Sequence, residues 1–177
     1  MNIKFLLVLA APLFVASIFS SCKDKDDDDK TSYLNSYQET KEFGEKFLME
    51  KRAEEGVIET ASGLMFKVNT MGTGIRPEDG DTIYAVVTGN KVEGKQNEFR
   101  YDTLNYVSMY GQVAALREGI KYMPVGSDFD FWAPYYLAYG SGSYSGMSRS
   151  PRTSVTVNPY SAVKFNVKLL GVRKEDK

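Results

Sequence analysis

The spacing of the hydrophobic residues in this chain changes near residue 56. From Thr31 to Glu55, apolar side chains recur three or four residues apart with Glu and Lys between them, a pattern that predicts an amphipathic helix. Gly56 is well suited to end that helix. Beyond Gly56, short apolar or alternating segments are separated by turns that contain Gly or Pro, which is typical of β-strands. The sequence therefore predicts a helix followed by a strand-rich domain.

Within the strand-rich part, five segments have the alternation or composition of strands. They are Leu64 to Asn69, Asp81 to Thr88, Phe99 to Asp102, Ser127 to Ala133 and Ala162 to Val172. Gln112 to Ile120 has helical spacing, and Ser141 to Ser154 is rich in Gly, Ser and Arg and is predicted to be a loop. We therefore expect an α+β fold, an antiparallel sheet of about five strands wrapped on one short helix and preceded by the N-terminal helix.

The first 21 residues have the three parts of an export signal. Lys4 gives a basic start, Phe5 to Val15 is an apolar run, and small residues follow. Phe19-Ser20-Ser21-Cys22 then resembles the lipobox of bacterial lipoproteins, so we expect residues 1–21 to be a signal peptide and Cys22 to carry lipid. The alternative is a membrane helix followed by a chance cysteine, for which the apolar run is short.

An acidic run follows the cysteine directly. Residues 23–30 read KDKDDDDK and include no apolar side chain, so residues 22–32 are expected to form a flexible tether. The run resembles the acidic stretch that sends some lipoproteins to the cell surface. Lys23 stands where an aspartate retains other lipoproteins in the inner membrane. Both features favour a lipid anchor in the outer membrane, on its periplasmic face or at the cell surface.

The remaining chain divides into an N-terminal helix, residues 33–55, and one globular domain, residues 56–173. The apolar stripe of the helix is narrow, so the helix is expected either to dock on the domain or to pair with a copy of itself as a homodimer.

Composition excludes several kinds of site. The chain has one Cys and no His, so an intrachain disulfide, a Cys/His zinc site and a Ser-His-Asp triad cannot form. The formal net charge of −1 gives no electrostatic reason to bind nucleic acid. We expect no cofactor and no metal, so any activity must use carboxylates, hydroxyls, backbone amides or a shaped apolar pocket.

A series of motifs in this order resembles the FKBP-type peptidyl-prolyl cis-trans isomerases, and the layout of helix and domain resembles their lipoprotein branch, the macrophage-infectivity-potentiator group. The similarity extends from Phe43 to Val172. The motifs are GVIETASGLMFKVNTMGTG from Gly56, Thr88-Gly89, Tyr101-Asp102, Glu118-Gly119 with Met123-Pro124-Val125-Gly126, Leu137-Ala138-Tyr139-Gly140, Val157-Asn158-Pro159 and FNVKLL from Phe165.

The resemblance implies a folding helper that isomerises X-Pro bonds in proline-containing segments of exported proteins. It implies an aromatic bowl in which Tyr101 forms a wall, Asp102 is a buried polar neighbour and Tyr139 donates its hydroxyl to the substrate. Tyr106 is a further wall candidate. The other implied substrate-binding residues are Val87, Val113 through its backbone N–H, Leu116, Val157 at the rim and Phe165 at the back.

Two of these positions depart from the family pattern. Val87 stands where a tyrosine is usual, and Leu116 stands where a tryptophan usually forms the floor of the bowl. We therefore expect a smaller, less aromatic bowl and weak activity. The alternatives are a non-catalytic peptide-binding or interaction module on the same fold, and a structural envelope protein that self-associates through its helix.

Overall fold

The computed structural model of the chain describes residues 25–94 and 97–175. The predicted signal peptide and Cys22 lie outside these residues. The helices are α1 (Lys25–Arg52) and α2 (Ala114–Gly119), with three short 3₁₀ turns at Met109–Gly111, Ile120–Tyr122 and Tyr135–Leu137. The strands are β1 (Val57–Glu59), β2 (Met65–Thr70), β3 (Thr82–Lys91), β4 (Glu98–Ser108), β5 (Asp128–Ala133), β6 (Tyr144–Met147), β7 (Ser154–Val157) and β8 (Val163–Arg173).

Six of the strands form one antiparallel sheet in the order β1-β2-β5-β8-β3-β4, while β6 and β7 pair only with each other. The long central strands β3 and β8 alternate buried and more exposed residues, as expected for a sheet with two different faces. This arrangement confirms the predicted α+β class and the five predicted strands. The sheet gains a sixth strand, β1, which is too short for its pattern to stand out.

The inner face of the sheet carries the main core, and α2 packs on it. Phe129, Phe131 and Phe165 are fully buried there together with Leu116 of α2. Gly119 allows the close approach, because a Cβ at this position would lie 2.5 Å from a ring carbon of Phe131. The helix is therefore held directly beneath the sheet.

The outer face of the sheet binds α1. Leu48 joins a second buried cluster with Met65, Trp132 and Ala162, and a Cβ at Gly44 would lie 3.1 Å from the Cβ of Ala162. The helix therefore docks on its own domain, one of the two arrangements that the sequence left open. Among the described residues, no helix is both long and apolar enough to cross a membrane.

The bounds of α1 differ from the prediction at both ends. Within the described residues the helix already includes Lys25 rather than starting near residue 33, and it ends at Arg52 rather than Glu55. Residues 25–32, predicted to be a flexible tether, thus continue the helix. The physical reason is that acidic residues are favoured at the amino end of a helix, where the backbone dipole is positive.

The predicted loop from Ser141 to Ser154 is also wrong in part. It contains β6 and the first residue of β7, which pair antiparallel from Tyr144 with Val157 to Met147 with Ser154. β6 contains Ser145 and Gly146 and no β-branched residue, so its sequence lacks the pattern that predicts a strand. Pairing with the β-branched residues of β7 overrides the weak strand propensity of Ser145 and Gly146.

Candidate functional site

Four aromatic rings gather at the end of the inner face where the hairpin of β6 and β7 meets the sheet. The ring centroid of Phe99 lies 5.7 Å from Tyr139, 5.9 Å from Tyr144 and 6.1 Å from Phe165, each in an edge-to-face arrangement. Tyr139 and Tyr144 stack with centroids 4.3 Å apart. These are the geometries that aromatic pairs prefer. Phe99 and Phe165 are fully buried, so they form the back of the site.

A β-bulge turns Phe99 into this cluster. Gly89 pairs with Arg100 and Asn90 pairs with Glu98, which leaves Phe99 as the extra residue of β4. A Cβ at Gly89 would lie 2.8 Å from Cζ of Phe99. Glycine at this position therefore leaves the room that the Phe99 ring occupies.

A polar group borders the aromatic rings and is centred on Arg100. Its Nε donates to Oδ2 of Asp102 at 2.7 Å, and its Nη2 donates to Oε1 of Gln112 at 2.8 Å. The Arg100 side chain is only 12% exposed. Hydrogen bonds on both sides thus satisfy a nearly buried guanidinium and fix its position beside Tyr139.

The hydroxyl of Tyr139 is kept protonated. Burial, and secondarily Tyr144, raise the pKa of Tyr139 well above its ordinary value, and the opposing effect of Arg100 is smaller. Because a guanidinium only donates hydrogen bonds, Arg100 cannot take up the hydroxyl proton of Tyr139. At neutral pH Tyr139 is therefore a hydrogen-bond donor rather than a base.

A second donor lies at the start of α2. Val113 precedes the first helical residue, and its backbone N–H donates to no other residue in the described part of the chain. Such unpaired N–H groups are the usual binding points at a helix amino end. Within residues 25–94 and 97–175, no group of three or more Asp, Glu or Cys could hold a metal ion.

The β6–β7 hairpin covers the site and is tied down at both ends. Its base is closed by Tyr160 N–H, which donates to the carbonyl of Gly140 at 2.9 Å. At the other end Arg149 N–H donates to Oε1 of Glu98 at 2.6 Å. Between them Gly146 lies directly against the carbonyl of Phe99, and any Cβ there would collide with it. The hairpin therefore holds Tyr144 over Tyr139.

Residues 16–68 match the family described as the domain amino terminal to FKBP-type peptidyl-prolyl isomerase. The FKBP-type peptidyl-prolyl cis-trans isomerase FkpA of Aeromonas hydrophila is 34% identical over 143 residues, 77% of this chain and 48% of that protein. The outer membrane protein MIP of Legionella longbeachae is 26% identical over 77% of this chain and 56% of that protein. The sequence of this chain is thus similar to those of FKBP-type isomerases of the MIP and FkpA group.

A solved structure supports the FKBP fold. The crystal structure of FkpA from Escherichia coli superposes with a TM-score of 0.69 at 24% identity, covering 84% of this chain and 66% of the other. The predicted fold is thereby confirmed, and the curated relatives support the predicted group, that of MIP and FkpA. The chain spans about half the length of the curated relatives it matches, 48% of one and 56% of another.

The FKBP resemblance misplaced one wall of the site. Tyr101, predicted to form that wall, is 41% exposed, and the guanidinium carbon of Arg149 lies 4.4 Å from its ring centre. Phe99 takes the buried position instead, because it is the extra residue at the bulge and turns into the cluster. Tyr106 was also misplaced, since it stacks on Tyr84 with centroids 5.8 Å apart, away from the cluster.

Asp102 is exposed, not buried as predicted. Its side chain is 51% exposed and pairs with Arg100. In the sheet it lies opposite Val87, the position where other FKBP proteins have a tyrosine. Since valine offers no hydroxyl, Asp102 has no polar partner on β3 to hold it inside.

Tyr139 and Phe165 do come together, and the predicted apolar residues lie beneath them. Val87, Leu116, Val157 and Phe165 are all 0% exposed. Val157, predicted at the rim, is thus a core residue buried under the site. These four buried residues support the aromatic cluster from the side of the core.

Four residues of the site are not predicted by the sequence: Phe99, Arg100, Gln112 and Tyr144. Gly89 is the one signal for Phe99, since a glycine in the middle of a β-branched strand marks a place where another group approaches closely. Arg100 and Tyr144 carry no such signal, because their roles depend on the bulge and on an unpredicted hairpin.

Proposed function

We propose that this protein is a peptidyl-prolyl cis-trans isomerase that helps exported proteins to fold. Relatives that bear the isomerase name support this proposal. The observation that carries it is the protonated, half-buried hydroxyl of Tyr139 set against the aromatic cluster. This tyrosine belongs to the Ala-Tyr-Gly motif, which supplies a hydrogen-bond donor in the family.

The reaction needs no nucleophile. Rotation about a peptide bond has a barrier of about 18–20 kcal/mol because resonance keeps the bond planar, whereas cis and trans X-Pro differ by only about 0.5–1 kcal/mol. A water-poor aromatic surface solvates the planar, polar amide less well than water does, and so favours the twisted form. In this mechanism Tyr139 and the N–H of Val113 hold the carbonyls of the substrate while the bond turns.

The activity is proposed to be weak. Leu116 and Val87 provide a smaller and less aromatic base than tryptophan and tyrosine would. In addition, Tyr144 stacks on Tyr139 at 4.3 Å, so a substrate must move this ring aside before it reaches the hydroxyl. Both features lower turnover without removing the donors.

Removing the hydroxyl of Tyr139 is the direct test of its role. A neutral hydrogen bond is worth about 0.5–1.5 kcal/mol, so Tyr139→Phe should slow turnover by about two- to tenfold. The measurement is exchange spectroscopy by NMR on a short proline peptide, which needs no coupling protease. Tyr136→Phe is the matched control, since the Tyr136 hydroxyl bonds only weakly to the carbonyl of Ser62 at 3.3 Å. Equal rates for wild type and Tyr139→Phe would remove Tyr139 from the mechanism.

A second function is favoured by the same stacked pair. Because Tyr144 lies on Tyr139, the two rings form a flat aromatic surface. On this alternative a peptide binds across that surface and its X-Pro bond is not twisted. The domain is then a non-catalytic peptide-binding module. It would bind proline peptides while showing no rate above the spontaneous reaction, even at high protein concentration.

We further propose that the protein lies in the cell envelope, held to the outer membrane by lipid on Cys22. The lipobox and Lys23 support this location, and the relative from Legionella longbeachae is named an outer membrane protein. A homodimer through α1 is proposed as well. Leu34, Phe43 and Met49 of α1 are exposed apolar side chains.

Replacing Cys22 by alanine tests the anchor. Without the thiol no lipid can be attached, so Cys22→Ala should abolish incorporation of a labelled fatty acid and release the protein from the membrane fraction. Fatty-acid labelling that persists in Cys22→Ala would refute the anchor. Recovery of wild type in the inner membrane would refute the proposed location.

A further inference from the structure

A groove outside the aromatic cluster carries uncompensated positive charge. It has a volume of about 280 Å³ and is lined by Tyr101, Met147, Ser148, Arg149 and Arg152. Glu98 is the one carboxylate paired with it, at 3.5 Å from Nη2 of Arg149. Among residues 25–94 and 97–175, Arg152 forms no ion pair with any carboxylate. The groove thus contains two guanidinium groups and one carboxylate that pairs with them.

Arg149 is held in place before any ligand arrives. Its guanidinium carbon lies 4.4 Å from the ring centre of Tyr101, and its backbone N–H donates to Glu98 at 2.6 Å. Stacking on an aromatic face fixes the plane of a guanidinium while leaving its edge donors free. The edge of Arg149 is therefore oriented for a planar anion, and a carboxylate fits that edge with two parallel hydrogen bonds.

The groove is one strand length from the proposed reaction site. β6 begins at Tyr144, which covers Tyr139, and ends at Met147, which lines the groove. At about 3.3 Å per residue, three steps along an extended chain span about 10 Å. A peptide with its proline at Tyr139 would bring a residue about three positions away into the groove.

We propose that this groove is an acidic subsite, which binds the carboxylate of a Glu or Asp about three residues from the substrate proline. The proposal rests on the proposed function in that it assigns a substrate class to the same site. Tyr101, which is exposed rather than part of the bowl wall, here stacks on the arginine that recognises the carboxylate.

The test uses two pairs of fluorescent proline peptides. One pair differs only by Glu or Gln three residues before the proline, and the other by Glu or Gln three residues after it. Fluorescence anisotropy gives the dissociation constants, and NMR exchange gives the isomerisation rates. At low ionic strength, the protein should bind the Glu peptide of at least one pair about three- to tenfold more tightly than its Gln partner. High salt should reduce that preference.

The variant R149Q/R152Q should lower the preference for the Glu peptide over its Gln partner to below about twofold. R76Q/R173Q is the matched control, because it removes two exposed arginines at the far end of β3 and changes net charge equally. It should retain the preference. Circular dichroism melts of both variants show whether the domain remains folded.

The outcomes separate the two proposals. Equal affinity for Glu and Gln in both pairs overturns the subsite, even if the peptides are isomerised. A Glu preference without isomerisation supports the subsite and overturns the enzyme. No binding of any of the four peptides overturns both.

Discussion

Replacement of Phe99 by alanine is expected to lower the free energy of unfolding by about 3–5 kcal/mol, as large-to-small changes at buried phenylalanines do. Phe99 is fully buried and contacts the rings of Tyr139, Tyr144 and Phe165. Its removal leaves a cavity at the centre of the site, so peptide turnover should fall with stability. Urea unfolding followed by circular dichroism measures the loss.

Tyr101→Ala is the matched control, two residues along the same strand. Its ring is 41% exposed and stacks only on Arg149, so the loss should be about 1 kcal/mol or less. If Phe99→Ala does not fold, Phe99→Leu should still cost about 1–2 kcal/mol. Equal losses for Tyr101 and Phe99 would show that the bulge does not exist in solution and that Tyr101 forms the wall after all.

Gly146→Ala is expected to detach the β6–β7 hairpin from the sheet. The added Cβ meets the carbonyl oxygen of Phe99, and because that atom belongs to the backbone it cannot rotate away. Overpacking of this kind costs about 1–3 kcal/mol, which corresponds to roughly a five- to 150-fold rise in hydrogen exchange of hairpin amides. The central strands β3 and β8 should keep their protection.

The same substitution should abolish the preference for acidic peptides, because Arg149 leaves the ring of Tyr101 that orients its guanidinium when the hairpin moves. Gly142→Ala is the control in the same segment, where the Cβ would only make ordinary contact with the Tyr139 carbonyl at 3.6 Å. It should leave exchange and peptide preference unchanged. Unchanged exchange in Gly146→Ala would contradict the packing of the hairpin on β4.

The fold could be predicted from local signals, since Phe129, Phe131 and Val167 alternate with polar residues and α2 has helical spacing. Tyr139 and Phe165, both implied by the resemblance, each contact the ring of Phe99 in the structure. The resemblance did not place Tyr101, because one extra residue at a bulge reverses the facing of a strand. Such an insertion leaves no mark in the composition of β4.

The hairpin was unpredictable for a different reason. Tyr144 and Met147 stand among glycines and serines, and only pairing with Val155 and Val157 makes a strand of them. Arg100 was missed because an isolated arginine in a strand is ordinarily a surface residue. Its burial depends on its hydrogen bonds to Asp102 on the same strand and to Gln112, which reaches Arg100 only in the folded chain.

The backbone N–H of Tyr160 donates to the carbonyl of Gly140 at 2.9 Å. The two ends of the segment between these residues therefore lie side by side, and the segment leaves the domain and returns to it at the same point. Lengthening such a segment is thermodynamically cheap, because doubling a flexible loop adds only about 0.6 kcal/mol of closure entropy. Residues 140–160 can therefore be replaced as one contiguous segment while the six-stranded sheet, α2 and α1 are kept unchanged. Grafting this segment onto another domain of the same fold should transfer its ligand preference where that domain also has an aromatic residue at the position of Tyr101 and a carboxylate at that of Glu98.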